Sequence, residues 1–178
     1  MIKFYNNDIV YNFFHIPKTA GTSVSSAIKE NFDYEFMWKK YKPDYPTGAQ
    51  HLSYEFYKDY VQPTDINFAV VRNPVDRISS LYNNFIINDT RHYNSFTEWF
   101  DIMSNTYPHI LESQQTIIGT GDIRLFNYTE LHWLEIFLGV KLPKLNVLRK
   151  AALLTSNEVR FLKNHYQEDY QLLEYKVL

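Results

Sequence analysis

The sequence predicts an α/β fold: a central, mostly parallel β-sheet flanked by helices, in a single domain that spans residues 1–178. Runs of β-branched and aromatic residues, such as IVYNFFHI at 9–16 and INFAVV at 66–71, indicate buried strands. Segments with helical periodicity separate these strands, and alternating strands and helices are typical of parallel sheets. A chain of 178 residues has the length of one domain.

Each element follows from local signals. Asn73 is a good N-cap, Pro74 suits the first helical position, and Gly139 ends a helix. The predicted strands are 9–16, 34–38, 66–71 and 123–127. The predicted helices are 23–31, 53–61 with Phe56 and Tyr60 facing inward, 74–86, 95–104, 108–118, 129–138 and 155–175, and a loop is expected at 39–50.

Composition excludes several classes of protein. The net charge of −2 gives no electrostatic reason to expect a nucleic-acid partner. The absence of cysteine excludes disulfides, thiolate metal sites and a cysteine nucleophile. No targeting segment and no membrane span are visible, so a cytoplasmic location is expected. The 15 Tyr, 13 Phe and 3 Trp residues are expected to fill much of the core.

The first candidate site is the loop between the strand at 9–16 and the helix that follows it. This P-loop-like arrangement places backbone N–H groups around a phosphate. Lys18 precedes Gly21, so the order differs from that of a Walker A motif, in which the lysine follows the glycines. Gly21 allows close approach of the backbone, and Thr22 and Ser23 add donors. An ordinary turn with an exposed lysine is the alternative.

The second candidate site begins at Arg72, at the carboxyl end of the strand at 66–71. Ligands bind at this end of the strands in open α/β sheets. Ser80 lies about two turns into the next helix, and a guanidinium with a hydroxyl suits an isolated phosphate. The alternative is that Arg72 pairs with a carboxylate and that Asn73 and Pro74 only cap the helix.

The two segments HIPKTAGTS and RNPVDRISS together resemble the two nucleotide loops of sulfotransferases that use 3′-phosphoadenosine 5′-phosphosulfate (PAPS). The likeness is to the branch that contains heparan and chondroitin sulfotransferases. Weaker similarities follow along nearly the whole chain, at QHLS, FNYTEL, LPKLN and YQEDY. The resemblance implies PAPS as donor, 3′-phosphoadenosine 5′-phosphate (PAP) as product, and no metal.

The resemblance also implies roles for individual residues. Lys18 would contact the bridging and transferred oxygens of the phosphosulfate, and Arg72 and Ser80 would hold the 3′-phosphate. A basic loop at Arg149 and Lys150 would cover the nucleotide, although a solvated basic turn explains these two residues equally well. The loop residues that would surround the 5′-phosphate are Pro17, Lys18, Thr19, Ala20, Gly21, Thr22 and Ser23.

Hydroxyl sulfation needs a base, because the acceptor loses a proton as it attacks sulfur. His51 matches the family's His-x-Ser base position, and Glu55 and Glu112 are reserve candidates. A His51 that only caps the following helix is the alternative. The remaining histidines, which we assign to packing, surface or loop positions, are His15, His92, His109, His132 and His165.

The sequence therefore predicts a PAPS-dependent sulfotransferase that acts on an acceptor hydroxyl of a saccharide. Residues 39–50 and 87–107 are expected to bind the acceptor. A P-loop kinase is disfavoured by the position of Lys18 and by the lack of an evident Mg²⁺-binding aspartate after a strand. A non-catalytic nucleotide-binding module would keep Lys18 and Arg72 but need no base. The acceptor's identity and the oligomeric state stay open.

Overall fold

The computed structural model describes residues 1–37, 39, 49–88, 93–145 and 154–176. The strands are β1 Ile2–Asn6, β2 Ile9–Phe14, β3 Asp33–Phe36, β4 Ile66–Val71 and β5 Arg124–Asn127. The helices are α1 Gly21–Asn31, α2 Tyr54–Tyr57, α3 Pro74–Asn88, α4 Phe96–Thr106, α5 Pro108–Leu111, α6 Gln114–Ile118, α7 Leu131–Leu138, α8 Ser156–His165 and α9 Gln167–Lys176. Short 3₁₀ turns lie at Ala49–His51, Lys58–Tyr60 and Tyr128–Glu130.

The five strands of the described residues form one sheet in the order β3-β1-β2-β4-β5. β2, β4 and β5 are parallel, whereas β1 pairs antiparallel with both β2 and β3. The α/β class is therefore confirmed, as a mixed sheet with a parallel half. In this half, Phe14 pairs with Ala69. The chain thus leaves β2 and β4 at the same edge of the sheet.

Both faces of the parallel half are buried, which explains why β4 is apolar at every position after Asn67. Phe68 and Val70 pack on one face, against α1 and α7. Ala69 and Val71 pack on the other face, against α2, α6 and α9. A strand covered on both sides has a continuous apolar sequence, and this signal predicted the bounds of β4 correctly.

A third apolar cluster joins α3, α4, α5 and α8 beside the sheet, with Trp99 fully buried in it. Arg77, on the first turn of α3, is also fully buried. It donates to the carbonyl oxygen of Glu112 at 2.8 Å, and its guanidinium lies 5.3 Å from the ring of Tyr166. Burial lowers the pKa of Arg77, and Tyr166 and Asp169 oppose this shift. These contacts fix the start of α3.

The strand β1 was not predicted, because its formation depends on a tight turn. Asn7 and Asp8 form a two-residue loop between β1 and β2, and both have positive φ, at 49° and 63°. Such loops match the twist of antiparallel strands, and Asn and Asp tolerate this conformation better than most residues.

Several helix bounds differ from the prediction. The predicted helix 155–175 is divided at Tyr166, whose buried hydroxyl donates to the carbonyl oxygen of Leu111 at 2.6 Å. The predicted helix 108–118 is two short helices, α5 and α6. In the segment 53–61 the fully buried ring is that of Tyr57, whereas Phe56 and Tyr60 are partly buried. The predicted strand 34–38 ends at Phe36, and positions 38 and 40–48 lie outside the described residues.

The hairpin loop yields a stability test. At Asp8, glycine accepts positive φ without steric cost, whereas a β-branched valine does not. We expect Asp8→Gly to be more stable than Asp8→Val by about 1–2 kcal/mol in the free energy of unfolding. Urea denaturation of the two variants and the wild type measures this difference. Equal stability of the two variants would contradict the turn.

Candidate active site

A cavity of about 990 Å³ opens at the edge of the sheet where β2 and β4 end. It brings together nearly all the described residues that the sequence singled out. Those that line it are Pro17, Lys18, Ala20, Gly21, Thr22, Ser23, His51, Arg72 and Ser80. Residues distant in sequence thus meet in one space, as expected for the end of parallel strands.

The loop between β2 and α1 is held in an unusual backbone conformation. Lys18 and Ala20 have positive φ, at 65° and 69°. Between them, Thr19 is fully buried, and its hydroxyl donates to the carbonyl oxygen of Ile16 at 2.9 Å. The buried side chain of Thr19 therefore holds the loop in this conformation, while Lys18 lines the cavity.

The N-terminus of α1 faces this cavity, and the backbone N–H groups of its first turn have no partner within the helix. Its N-cap, Ala20, provides no side-chain hydrogen bond, and its first turn has no acidic residue. The first backbone hydrogen bond of the helix runs from Val24 N–H to the carbonyl oxygen of Ala20 at 3.1 Å. The N–H groups of Gly21, Thr22 and Ser23 precede that bond. Such a turn attracts anions through its N–H groups and the helix dipole.

Gly21 is required by the packing of His15. A Cβ atom at position 21 would overlap the imidazole ring of His15, which lies directly against the Gly21 backbone. The glycine therefore lets the first turn of α1 sit on a histidine side chain that also lines the cavity. This contact explains why a glycine lies at the start of the helix although its φ is not positive.

Arg72 joins the end of β4 to the loop after β2. Its Nη1 atom donates to the carbonyl oxygen of Lys18 at 3.2 Å, and its Cζ atom lies 4.2 Å from the centre of the Tyr128 ring. Among the described residues, no carboxylate forms an ion pair with Arg72. The guanidinium is thus held by a carbonyl and an aromatic face, and its charge is left for a ligand.

Lys18 and Arg72 make the cavity electropositive. The pKa of Lys18 is lowered by burial and further by the charge of Arg72. Lys18 Nζ donates to Asn84 Oδ1 at 3.4 Å, which is a neutral partner. Two cations in a partly desolvated space repel each other, and an anion bound between them would relieve that repulsion.

His51 is held in one tautomer by its backbone contact. Its Nδ1 atom lies 2.8 Å from the carbonyl oxygen of His15, and because a carbonyl only accepts, Nδ1 carries the proton. Nε2 then has the unprotonated lone pair, which accepts from the Gln50 amide at 3.2 Å. Burial lowers the pKa of His51 to about 4 despite that carbonyl bond. His51 is therefore neutral near pH 7, and Nε2 can act as a base once a ligand displaces the Gln50 amide.

The two reserve bases do not line this cavity. Glu55 accepts from the Thr120 hydroxyl at 2.7 Å and pairs with Lys58 at 3.1 Å. Glu112 lines a separate groove of about 550 Å³, which also contains His165. Of the candidate bases, only His51 lines the cavity at the end of the strands.

Sequence reasoning missed several residues of the cavity. His15, His109 and His132, assigned to other roles, all line it. Arg149, Lys150 and His92 lie outside the described residues, so their proposed roles stay predictions. Lys144 also lines the cavity, and the N–H of the next residue, Leu145, donates to Ser23 Oγ at 3.3 Å. Other missed lining residues include Asn84, Phe85, Ile110 and Tyr128, whereas Gln50 and Tyr107 belong to the segments 39–50 and 87–107 that were expected to bind the acceptor.

Comparison with known families agrees with this geometry. A family model described as the sulfotransferase family matches residues 4–136 of the chain. The chain belongs to the sulfotransferase family. The match contains β2, the Lys18 loop, His51, β4 and Arg72. The searches of curated proteins and of solved structures return no match.

Within the described part of the chain, no group of three or more His, Asp or Glu residues is arranged to hold a metal ion. No described helix combines the length and the hydropathy that crossing a membrane requires.

The environment of His51 predicts its titration. With a pKa of about 4 in the native state and 6.5 in the unfolded state, His51 takes up a proton first in the unfolded chain as pH falls. Its contribution to stability is complete above pH 6.5 and is lost as pH falls towards 4. We expect imidazole NMR signals of His51 to titrate near pH 4, and His51→Gln to lose less stability over this range. Titration of His51 near 6.5 would contradict its burial.

Proposed function

We propose that this sulfotransferase takes its sulfuryl group from PAPS and transfers it to a hydroxyl of a saccharide. The observation that carries the proposal is that two groups of residues suited to anions line one cavity. One consists of the α1 N-terminus with Lys18, and the other consists of Arg72 with Ser80. PAPS has two separate anionic groups, a 5′-phosphosulfate and a 3′-phosphate, and therefore suits two such sites.

The donor chemistry of each site fits its proposed group. The N–H groups of Gly21, Thr22 and Ser23, with the Thr22 hydroxyl, suit the 5′-phosphate. The guanidinium of Arg72 and the hydroxyl of Ser80 suit the 3′-phosphate, with Tyr128 supporting the guanidinium from its ring face. The loop residues Pro17, Thr19 and Ala20 shape the first site, and Thr19 does so through its bond to Ile16.

Lys18 would act on the leaving group. Bound PAPS supplies a sulfuryl group whose S–O bond to the 5′-phosphate breaks as a new S–O bond forms to the acceptor oxygen. Negative charge then accumulates on the phosphate oxygen. Lys18 and the α1 N–H groups stabilise that charge without a metal ion. Because burial and Arg72 lower the pKa of Lys18, its ammonium gains more from this anion than an exposed lysine would.

His51 would accept the proton of the acceptor hydroxyl at Nε2. The His15 carbonyl fixes the tautomer, so the imidazolium formed would keep that hydrogen bond and gain strength in it. A pKa near 4 keeps the base unprotonated across the neutral range. Desolvation makes the free imidazole a weak base, and the charge that develops on the leaving phosphate would stabilise its protonated form.

The saccharide acceptor is supported by the aromatic and apolar residues that line the same cavity. Phe85, Tyr107, Leu81 and Ile110 line it beside His109. Aromatic rings provide flat apolar surfaces for the C–H faces of a sugar, and histidine and asparagine side chains bind its hydroxyls. Phe85 and Tyr107 also pack on the third apolar cluster, which fixes their rings.

Nucleotide binding tests the two anion sites. We expect PAP to bind at least about tenfold more tightly than adenosine 5′-phosphate, because an arginine–phosphate contact is charge-assisted. Arg72→Ala should remove this preference, whereas Arg160→Ala, on the exposed face of α8, should keep it. Isothermal titration calorimetry measures both ratios. Equal affinities in the wild type, or tighter binding of ATP with Mg²⁺, would contradict the proposal and favour a kinase.

Two substitutions separate binding from chemistry. Lys18→Ala should lose both PAP affinity and turnover. His51→Ala should bind PAP normally and lose roughly 10²-fold or more in turnover, as for a positioned base. Labelled PAPS with a panel of neutral oligosaccharides measures transfer, and Lys29→Ala, at the other end of α1, is the control.

The pH dependence of kcat/KM gives a second test of His51 as the base. The acid limb of kcat/KM should lie near pH 4, the pKa of His51, and not near the 6.5 of an unperturbed histidine. Near-normal turnover of His51→Ala with intact PAP binding would dismiss His51 as the base. It would leave the donor site unaffected.

A further inference from the structure

The buried side chain of Gln114 replaces a strand neighbour at the end of β4. Gln114 begins α6 and is fully buried. Its Oε1 atom accepts from the Arg72 N–H at 2.9 Å, and its Nε2 atom donates to the Arg72 carbonyl oxygen at 2.8 Å. One side-chain amide thus makes with Arg72 the pair of hydrogen bonds that a residue of an adjacent strand would make.

Asp169 fixes the orientation of that amide. Its Oδ2 atom accepts from Gln114 Nε2 at 3.2 Å, and its Oδ1 atom accepts from the Gln115 N–H at 3.0 Å. Asp169, on α9, is also fully buried. Exchanging the oxygen and nitrogen of the Gln114 amide would break all three of its hydrogen bonds, so only one orientation is compatible with its surroundings.

This network reaches Arg72 from behind the cavity. Neither Gln114 nor Asp169 lines the cavity, whereas Arg72 does. With its N–H and carbonyl both bound, the backbone of Arg72 cannot rotate freely. Because the Arg72 backbone is held in place, the position from which its side chain extends to the Lys18 carbonyl and the Tyr128 ring is fixed. A second contact, from the Tyr170 hydroxyl to Asn73 Oδ1 at 3.5 Å, joins α9 to the next residue.

We propose that Gln114, oriented by Asp169, is a positioning residue for Arg72 and thereby sets the enzyme's selectivity for a nucleotide with a 3′-phosphate. The inference rests on the proposed function, in which Arg72 binds that phosphate. It assigns to α6 and α9, which lie behind the site, a part in recognising the donor. A purely structural network would instead fasten these two helices to the sheet without affecting selectivity.

The experiment compares PAP with adenosine 5′-phosphate in variants of the full chain. Gln114→Met keeps the length of the side chain and removes the amide. Gln114→Glu keeps the shape, but places a second carboxylate oxygen against the Arg72 carbonyl and Asp169. Calorimetric dissociation constants give the preference for PAP, and thermal unfolding gives the stability of each variant. Gln115→Met is the matched control, because its side-chain amide contacts Gly119 and not Arg72.

We expect both Gln114 variants to lose PAP affinity by about tenfold, with the affinity for adenosine 5′-phosphate changed less than about twofold. Asp169→Asn retains one acceptor oxygen and should give a smaller loss of the same kind, so it tests the network if the Gln114 variants do not fold. Variants that are less stable yet keep the wild-type preference for PAP would overturn the inference. A wild type without any preference would overturn the proposed function and this inference with it.

Discussion

The hydrogen bond from Arg72 to the carbonyl oxygen of Lys18, at 3.2 Å, is the contact on which the site depends. It exists because β2 and β4 are parallel neighbours, with Phe14 opposite Ala69, so the chain leaves both strands at the same edge. The bond holds the Lys18 loop in its positive-φ conformation beside the α1 N-terminus. The guanidinium of Arg72 thereby connects the end of β4 with the loop that leads into α1, where the two anion sites are proposed.

The charges of the residues that line the cavity are compatible with the proposed doubly anionic donor. Lys18 and Arg72 lie close enough for Arg72 to lower the pKa of Lys18, and Lys144 lines the same space. The carboxylate that lines it, Glu135, is bound to Lys141 at 2.8 Å and to the Leu142 N–H at 2.9 Å. Glu135 is thus paired within its own segment. Among the described lining residues, the cations Lys18, Arg72 and Lys144 outnumber this carboxylate, although the whole chain has a net charge of −2.

Elements defined by local chemistry were predictable from the sequence, and those defined by distant contacts were not. β4 and the start of α3 follow from an apolar run and from the Asn73 cap, whose Oδ1 accepts from the Val75 N–H at 3.0 Å. Lys18 and Arg72 stood out because each lies where a strand ends. Gln114 did not, since its partner Arg72 is 42 residues away and an amide at a helix start has no distinctive pattern. The depressed pKa of His51 likewise depends on burial by remote segments.

A crystal structure of the chain with PAP tests the central claim most directly. We expect the 5′-phosphate at the N–H groups of Gly21, Thr22 and Ser23. We expect the 3′-phosphate within hydrogen-bond distance of Arg72 and Ser80, with the Arg72 bond to Lys18 retained. PAP bound with its 3′-phosphate away from Arg72, or in the groove beside Glu112, would contradict the proposed site.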